Sequence, residues 1–414
     1  MKQFFQLAIL SIFLFTNVCS YANTLMEEDS ITMGGGYANE IYYSFENGEI
    51  GSAPRNNWDI AFYTVTWSAG ISINDGTGVE LYLYPAADTS GWNSLDTTGL
   101  STWPVLYNST TDWEEGAFNR NQNGHPDYGW GVYNTITHDV VGDSIYILKL
   151  ADGACKKFQV IKKASSQNTY YFKYADLDGS NQVTEVLNCN DYSNKNFVYY
   201  SLINQAVIDR EPDADSWDIL FTKYMGLLEG GVPYPVTGVL NNINIPANRF
   251  DEVGPDFEDY TTVPMDSIRV VIGHDWKYFD MNTFSYVVED SIAFFVMNSK
   301  KDVYKLVFSV FDYTIGKFVF SKSKVHTSDV PELSNGQQLA VYPNPASEFI
   351  NVNLESIENC DEVIITDLSG KVVLSVEPGN LKTITIPVNR LNPGMYLINA
   401  KSANETAIQK LVIQ

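Results

Sequence analysis

The chain has 414 residues, and its 50 acidic against 26 basic side chains leave a formal net charge of -24. That balance excludes the basic surface on which sequence-independent nucleic-acid binding depends, so no nucleic acid is expected as a partner. The length exceeds one typical domain and predicts two or three.

The chain opens MKQFFQLAILSIFLFTNVCSYAN, with Lys2 ahead of an apolar run and the small residues Ser20 and Ala22 around Tyr21. This is the pattern of a secretory signal peptide over residues 1–22, cut after Ala22. The run is shorter than the roughly 20 apolar residues of a membrane-spanning helix. No later stretch reaches that length, so no transmembrane segment is expected after leader removal.

Beyond the leader the sequence repeats itself. "NNWDIAFYT" at 56–64 returns as "DSWDILFTK" at 215–223, each preceded by a YYS strand, and "VVGDSIYILKL" at 140–150 returns as "VVEDSIAFFVM" at 287–297. Two blocks recurring in the same order indicate a duplicated unit. We place the copies at 35–190 and 191–326, followed by a polar linker at 327–338. Alternation predicts Trp58, Ile60 and Phe62 on one strand face, as Trp217, Ile219 and Phe221, with Asp59 and Asp218 pointing the other way. "ADGAC" joins two apolar runs as a hairpin turn. Helical periodicity is absent after the leader, so the fold class is all-β, built of sandwich or curved-sheet units. Long segments at 83–128 and 226–275, rich in Gly, Asn, Pro and aromatic residues, are where binding residues are expected.

Three cysteines follow the leader. Cys155 and Cys189 share a copy and could form a disulfide in an oxidising compartment, or stand as two free thiols. "NRNQNGHPD" and "YADLDGSNQVTE" carry Asn and Asp in patterns near those of calcium loops, but with too few carboxylates or a misplaced Tyr174, and are read as turns. Trp92, Trp103, Trp113, Trp130 and Trp276 are candidates for stacking on sugar rings. No zinc, nucleophile-elbow, phosphate-loop or dinucleotide motif occurs, so no enzyme is expected.

The "yy.F..g" strand, the "WDIAF" strand, the variable insert and the "yvl...G.ykkl.i" hairpin, present in both copies, resemble the HmuY-like family of secreted haem-binding proteins. The resemblance implies a β scaffold and haem as ligand, gripped by paired His or Met from loops. His125, His138 and His274 are then the candidate haem ligands, with Met225 or Met281 able to complete a pair with His274. The paired-ligand pattern itself is not matched position by position.

The last segment, 339–414, turns to short alternating strands around "YPNPAS", "DLSGK", "NPGMYL" and "KLVIQ". It resembles the type A C-terminal sorting domain of the type IX secretion system of Bacteroidetes, a small β-sandwich. The matching positions are Tyr342, Pro343, Asn344, Pro345, Gly370, Gly394 and Lys410. The resemblance implies the type IX machinery as partner and a secreted or outer-membrane surface location reached through the periplasm. The chain as a whole is thus expected to be duplicated HmuY-like β-sandwiches with a sorting domain, a non-catalytic surface protein binding haem, with carbohydrate binding or a structural, adhesive role as the alternatives.

Overall fold

The computed structural model describes residues 26–228, 230–326 and 339–414, apart from 355–356, 358–359, 368–370, 380 and 403–405. The expected leader, the linker and Gly370 lie outside the described residues. The chain is all-β, with several antiparallel sheets and helical turns of only a few residues. Among the described residues, those up to His326 form one compact unit and those from Leu339 onward a second.

The larger unit holds two sandwiches. The first sets a sheet of Ala206–Ile208, Phe197–Ser201, Ile60–Tyr63 and Ile71–Ile73 against one containing Val183–Asn188, Thr169–Asp176, Cys155–Ala164 and Tyr146–Lys149. The second sets Val232–Asn241, Ile219–Leu228, Asn39–Ser44 and Gly48–Pro54 against Glu27–Thr32, Lys317–His326, Val303–Asp312, Ala293–Met297 and Ala247–Phe250. The two four-stranded sheets correspond strand for strand, whereas the facing sheets differ, with seven strands in the first sandwich and five in the second.

Their YYS strands are exchanged between the copies. Phe197–Ser201 pairs with Ile60–Tyr63, Tyr200 opposite Ile60. Asn39–Ser44 pairs with Ile219–Leu228, Tyr43 opposite Ile219. Glu27–Thr32 likewise runs beside Lys317–His326, Ile31 opposite Phe318. One core therefore gathers residues from Ile60 to Leu202, and the other joins Ile31–Phe45 side chains to those from Ile219 to Phe320. Packing units and sequence repeats are out of phase across 35–190 and 191–326. Aromatic contacts dominate both cores: Phe62 lies 5.1 Å from Phe172, and Trp276 stacks on Phe308 at 3.9 Å.

The WDI stretches differ from their expected alternation. The strands begin at Ile60 and Ile219, so Trp58 and Trp217 sit in the preceding turns and are released from the strand's two-residue period. Ile60 and Phe62 enter the first core, whereas Trp58 packs edge-on against Tyr199 at 5.0 Å on the outer face. Trp217 repeats this against Tyr42 at 5.1 Å. Asp59 and Asp218 are buried rather than solvated. Asp59 accepts from Leu202 N–H at 2.7 Å and Asp218 from Phe45 N–H at 2.8 Å, each capping the end of the exchanged strand.

A Cys155–Cys189 disulfide does not form; both thiols are free. Cys155 opens the strand Cys155–Ala164 beside Lys149, whereas Cys189 lies against Lys163 near its far end. At about 3.3 Å per residue, eight residues of strand separate the two sites by roughly 26 Å, far beyond disulfide reach.

The second unit builds its core from Ile350, Val352, Ile365, Ile398 and Leu411, between a sheet of Ala340–Tyr342, Phe349–Asn353 and Thr383–Pro387 and one of Val372–Val376, Glu362–Thr366, Gly394–Lys401 and Thr406–Ile413.

Candidate functional site

The outer faces of the two four-stranded sheets meet, and a cleft with a cavity of about 60 Å³ lies between them. Trp58, Phe197 and Tyr199 line it from the first sandwich, and Leu220, Thr222, Lys223 and Tyr224 from the second. Both variable segments reach it. From 83–128 come Asn108 and Trp113, and from 226–275 come Leu240 and Arg269. The two segments are fastened to each other: the Trp113 indole N–H donates to the Asn241 carbonyl at 2.8 Å, and Arg269 Nη1 donates to the Ser109 carbonyl at 3.2 Å. The Arg269 guanidinium lies over the Trp113 ring at 4.0 Å.

One charged cluster in this region is internally satisfied. Glu40 pairs with buried Arg210 and accepts from Thr222 Oγ1 at 2.9 Å and from the Tyr42 hydroxyl at 3.3 Å. Arg210 also donates to Asn57 Oδ1 at 3.0 Å and lies over the Tyr199 ring. Glu211 accepts from Asn196 N–H, Phe197 N–H and the Tyr199 hydroxyl. Burial pushes its carboxyl up to about 7, those donors offsetting part of the effect. This cluster pins the exchanged strands.

A second cluster is less complete. Asp75 is buried, which raises its carboxyl to about 6, with Arg269 and the N–H groups of Asn108, Met225 and Gly76 opposing the rise. Asp75 and Arg269 face one cleft without forming an ion pair. Arg269 is 7% exposed, and its Nε has no partner. The Trp58 indole N–H is also buried and unpartnered. Among the described residues Lys223 has no ion-pair partner, and burial together with nearby Arg55 lowers its pKa.

None of the three candidate histidines is among the residues that line the cleft; His125 and His138 come together around Tyr133, whereas His274 is apart from them. His125 and His138 are exposed on either side of Tyr133: the Tyr133 hydroxyl lies 2.6 Å from His138 Nδ1, and the His125 ring is 5.2 Å from the Tyr133 ring. His274 belongs to the other sandwich, with Nδ1 3.4 Å from the Tyr224 hydroxyl. Met281 is exposed, away from the cleft lining. Of the five candidate sugar-stacking tryptophans, Trp130 and Trp276 are fully buried and Trp92 is 5% exposed, so their faces are spent on packing. The exposed indole is Trp67, which alternation did not single out. The two Asn/Asp segments are turns: Asn119 is buried and donates to Ala69 and Tyr128 carbonyls, and Asp178 accepts from Ser180. Among the described residues no three His, Cys, Asp or Glu side chains converge in a metal-binding group.

Sequence reasoning missed Arg269, Lys223, Asp75 and Trp58 as one set. They belong to four segments and meet where the two sandwiches face each other. The one available signal was that both variable segments, where binding residues were expected, contribute to the lining.

In the second unit the YPNP residues have a definite task. Asn344 Nδ2 donates to the Lys410 carbonyl at 2.7 Å, and Asn344 Oδ1 accepts from Val412 N–H at 2.9 Å. The segment thereby holds the final strand Thr406–Ile413 through both its N–H and C=O groups. Tyr342 is exposed, and Gly394 opens the strand that pairs with the last one. No curated protein matches the chain. Residues 340–414 match the family described as the secretion system C-terminal sorting domain, which supports export of the chain by the type IX secretion system and implies a secreted or cell-surface location.

Proposed function

We propose that the exported portion of the chain is a non-catalytic binding protein that takes a small ligand in the cleft between its two sandwiches. The supporting observation is the pair of unpartnered buried donors, Trp58 Nε1 and Arg269 Nε, on residues that line this cleft. Folded interiors leave few such groups, because each lost hydrogen bond costs about 1–3 kcal/mol. A ligand acceptor placed between them removes that cost. The test is a thermal-shift screen of small molecules on the leader-free chain, read together with tryptophan fluorescence. Saturable stabilisation with a change in emission, lost when Ser72, which also lines the cleft, is enlarged to Phe, supports cleft binding. A screen in which every hit survives Ser72→Phe removes it.

A second reading is favoured by one observation, the Tyr133–His138 contact. A phenol hydrogen-bonded to imidazole beside the exposed apolar side chains Val132 and Ile136 is a group that can ligate haem iron. Haemin titration of the protein and of a His125→Ala, His138→Ala variant tests it. A Soret shift that the double variant abolishes supports haem, and an identical response in both chains rejects it.

A further inference from the structure

The cleft's charge is opposite in sign to that of the protein around it. The chain carries -24 overall, yet the ionic groups lining the cleft and not already neutralised are Arg269 and Lys223 against Asp75 alone, since Glu40 is occupied by Arg210. Arg55 adds a further cation close to Lys223. Two cations held in a partly desolvated place, without counter-charges in contact, are an unfavourable arrangement unless an anion joins them.

The geometry narrows the anion. Arg269 spends Nη1 on the Ser109 carbonyl, and its Nε is buried without a partner, so a flat, two-oxygen acceptor that reaches this edge would complete the guanidinium's hydrogen bonds. Its face is covered by Trp113, which fixes the plane in which that acceptor must lie. The Trp58 indole N–H supplies a neutral donor, and Lys223 a mobile cation. Asp75 disfavours a dianion, because a second negative charge would stand against its carboxylate in a low-dielectric site. A water needs on the order of 10–15 Å³ of such space, so the cavity of about 60 Å³ admits a carboxylate with a short chain or the acidic end of a larger molecule.

We propose that the cleft is a carboxylate site, with Arg269 as the fixed fork, the Trp58 N–H as the orienting donor and Lys223 as the adjustable counter-charge. The proposal rests on the cleft-binding reading and specifies the ligand class.

The test is calorimetric titration of the full leader-free chain at constant ionic strength with lactate and benzoate, their neutral amides lactamide and benzamide, and inorganic phosphate. At least one carboxylate is expected to bind at least tenfold more tightly than its amide. Lys223→Gln is expected to weaken the carboxylate about tenfold and the amide far less, with the melting temperature kept, since no side-chain hydrogen bond or ion pair of Lys223 occurs among the described residues and its backbone pairing with Thr237 is retained. Amide and carboxylate binding alike, insensitive to Lys223→Gln, overturns the carboxylate assignment while leaving a cleft that binds ligands. Tighter binding of phosphate than of either carboxylate also overturns it. Binding of none of the five probes overturns both readings.

Discussion

Asp59 accepts the backbone N–H of Leu202 at 2.7 Å across 143 residues of sequence, and Asp218 does the same for Phe45 across 173 at 2.8 Å. Each carboxylate belongs to one repeat and caps a strand from the other. Removing one leaves a buried N–H without an acceptor, so Asp59→Ala and Asp218→Ala should each destabilise the larger unit by about 2–3 kcal/mol. Asparagine keeps an acceptor at the same place and should cost less than half as much. Urea unfolding of the four variants checks this, and equal effects of Ala and Asn at both sites would count against a capping role.

The exchange also decides which fragments fold. Residues 56–210 contain every strand of the first sandwich, whereas residues 35–190 lack Phe197–Ser201, the strand that pairs with Ile60–Tyr63. The first fragment should unfold cooperatively on heating with dispersed amide resonances. The second should do neither. A cooperative melt for 35–190 would mean that the YYS strand of its own repeat can replace the exchanged one.

Glu211 makes stability depend on pH in a defined direction. Its carboxyl is raised from 4.5 to about 7 by burial, so the folded state holds the proton that the unfolded state has released. The stabilisation is complete below about pH 4.5 and is lost as pH rises through about 7; the full displacement corresponds to roughly 3 kcal/mol. Asp75 and Asp218, each raised to about 6 by burial, act in the same direction at slightly lower pH. Glu211→Gln should therefore flatten the fall in melting temperature between pH 5 and 7. An unchanged slope in that variant would show that Glu211 titrates normally.

In the sorting unit, Asn344 joins the YPNP segment to the last strand by two hydrogen bonds. Asn344→Ala should lower the stability of that unit by about 1–2 kcal/mol. Deleting 339–414 should keep the remaining chain inside the cell, as read by fractionation and surface labelling. Normal surface display of the truncated chain would contradict type IX export through this segment.

The all-β class, the duplication and the sorting segment were legible because each has a local signature: two-residue alternation, an ordered pair of repeated blocks, and closely spaced turn motifs. The partner of each YYS strand was not, because Tyr43 and Tyr200 lie in nearly identical sequences and either could pair beside Ile60 or Ile219. Trp58 misled the alternation because it stands one turn before its strand. The cleft was hidden for a related reason: Arg269 and Trp113 come from segments with no repeat signal and meet only where the two sandwiches face each other. The histidines were visible as residue types, but nothing in their spacing showed that Tyr133 stands beside both.

The pairing of Glu27–Thr32 with Lys317–His326 sets an order of events. A chain emerging from its N-terminus can assemble the first sandwich as soon as residue 208 is free, while its opening strands wait for partners made almost last. The second sandwich therefore bears the larger loop-closure entropy and should be the slower to form. Glu27–Thr32 has no neighbour to pair with until Lys317–His326 has followed it, so closing the second sandwich requires nearly all of the chain ahead of the sorting unit.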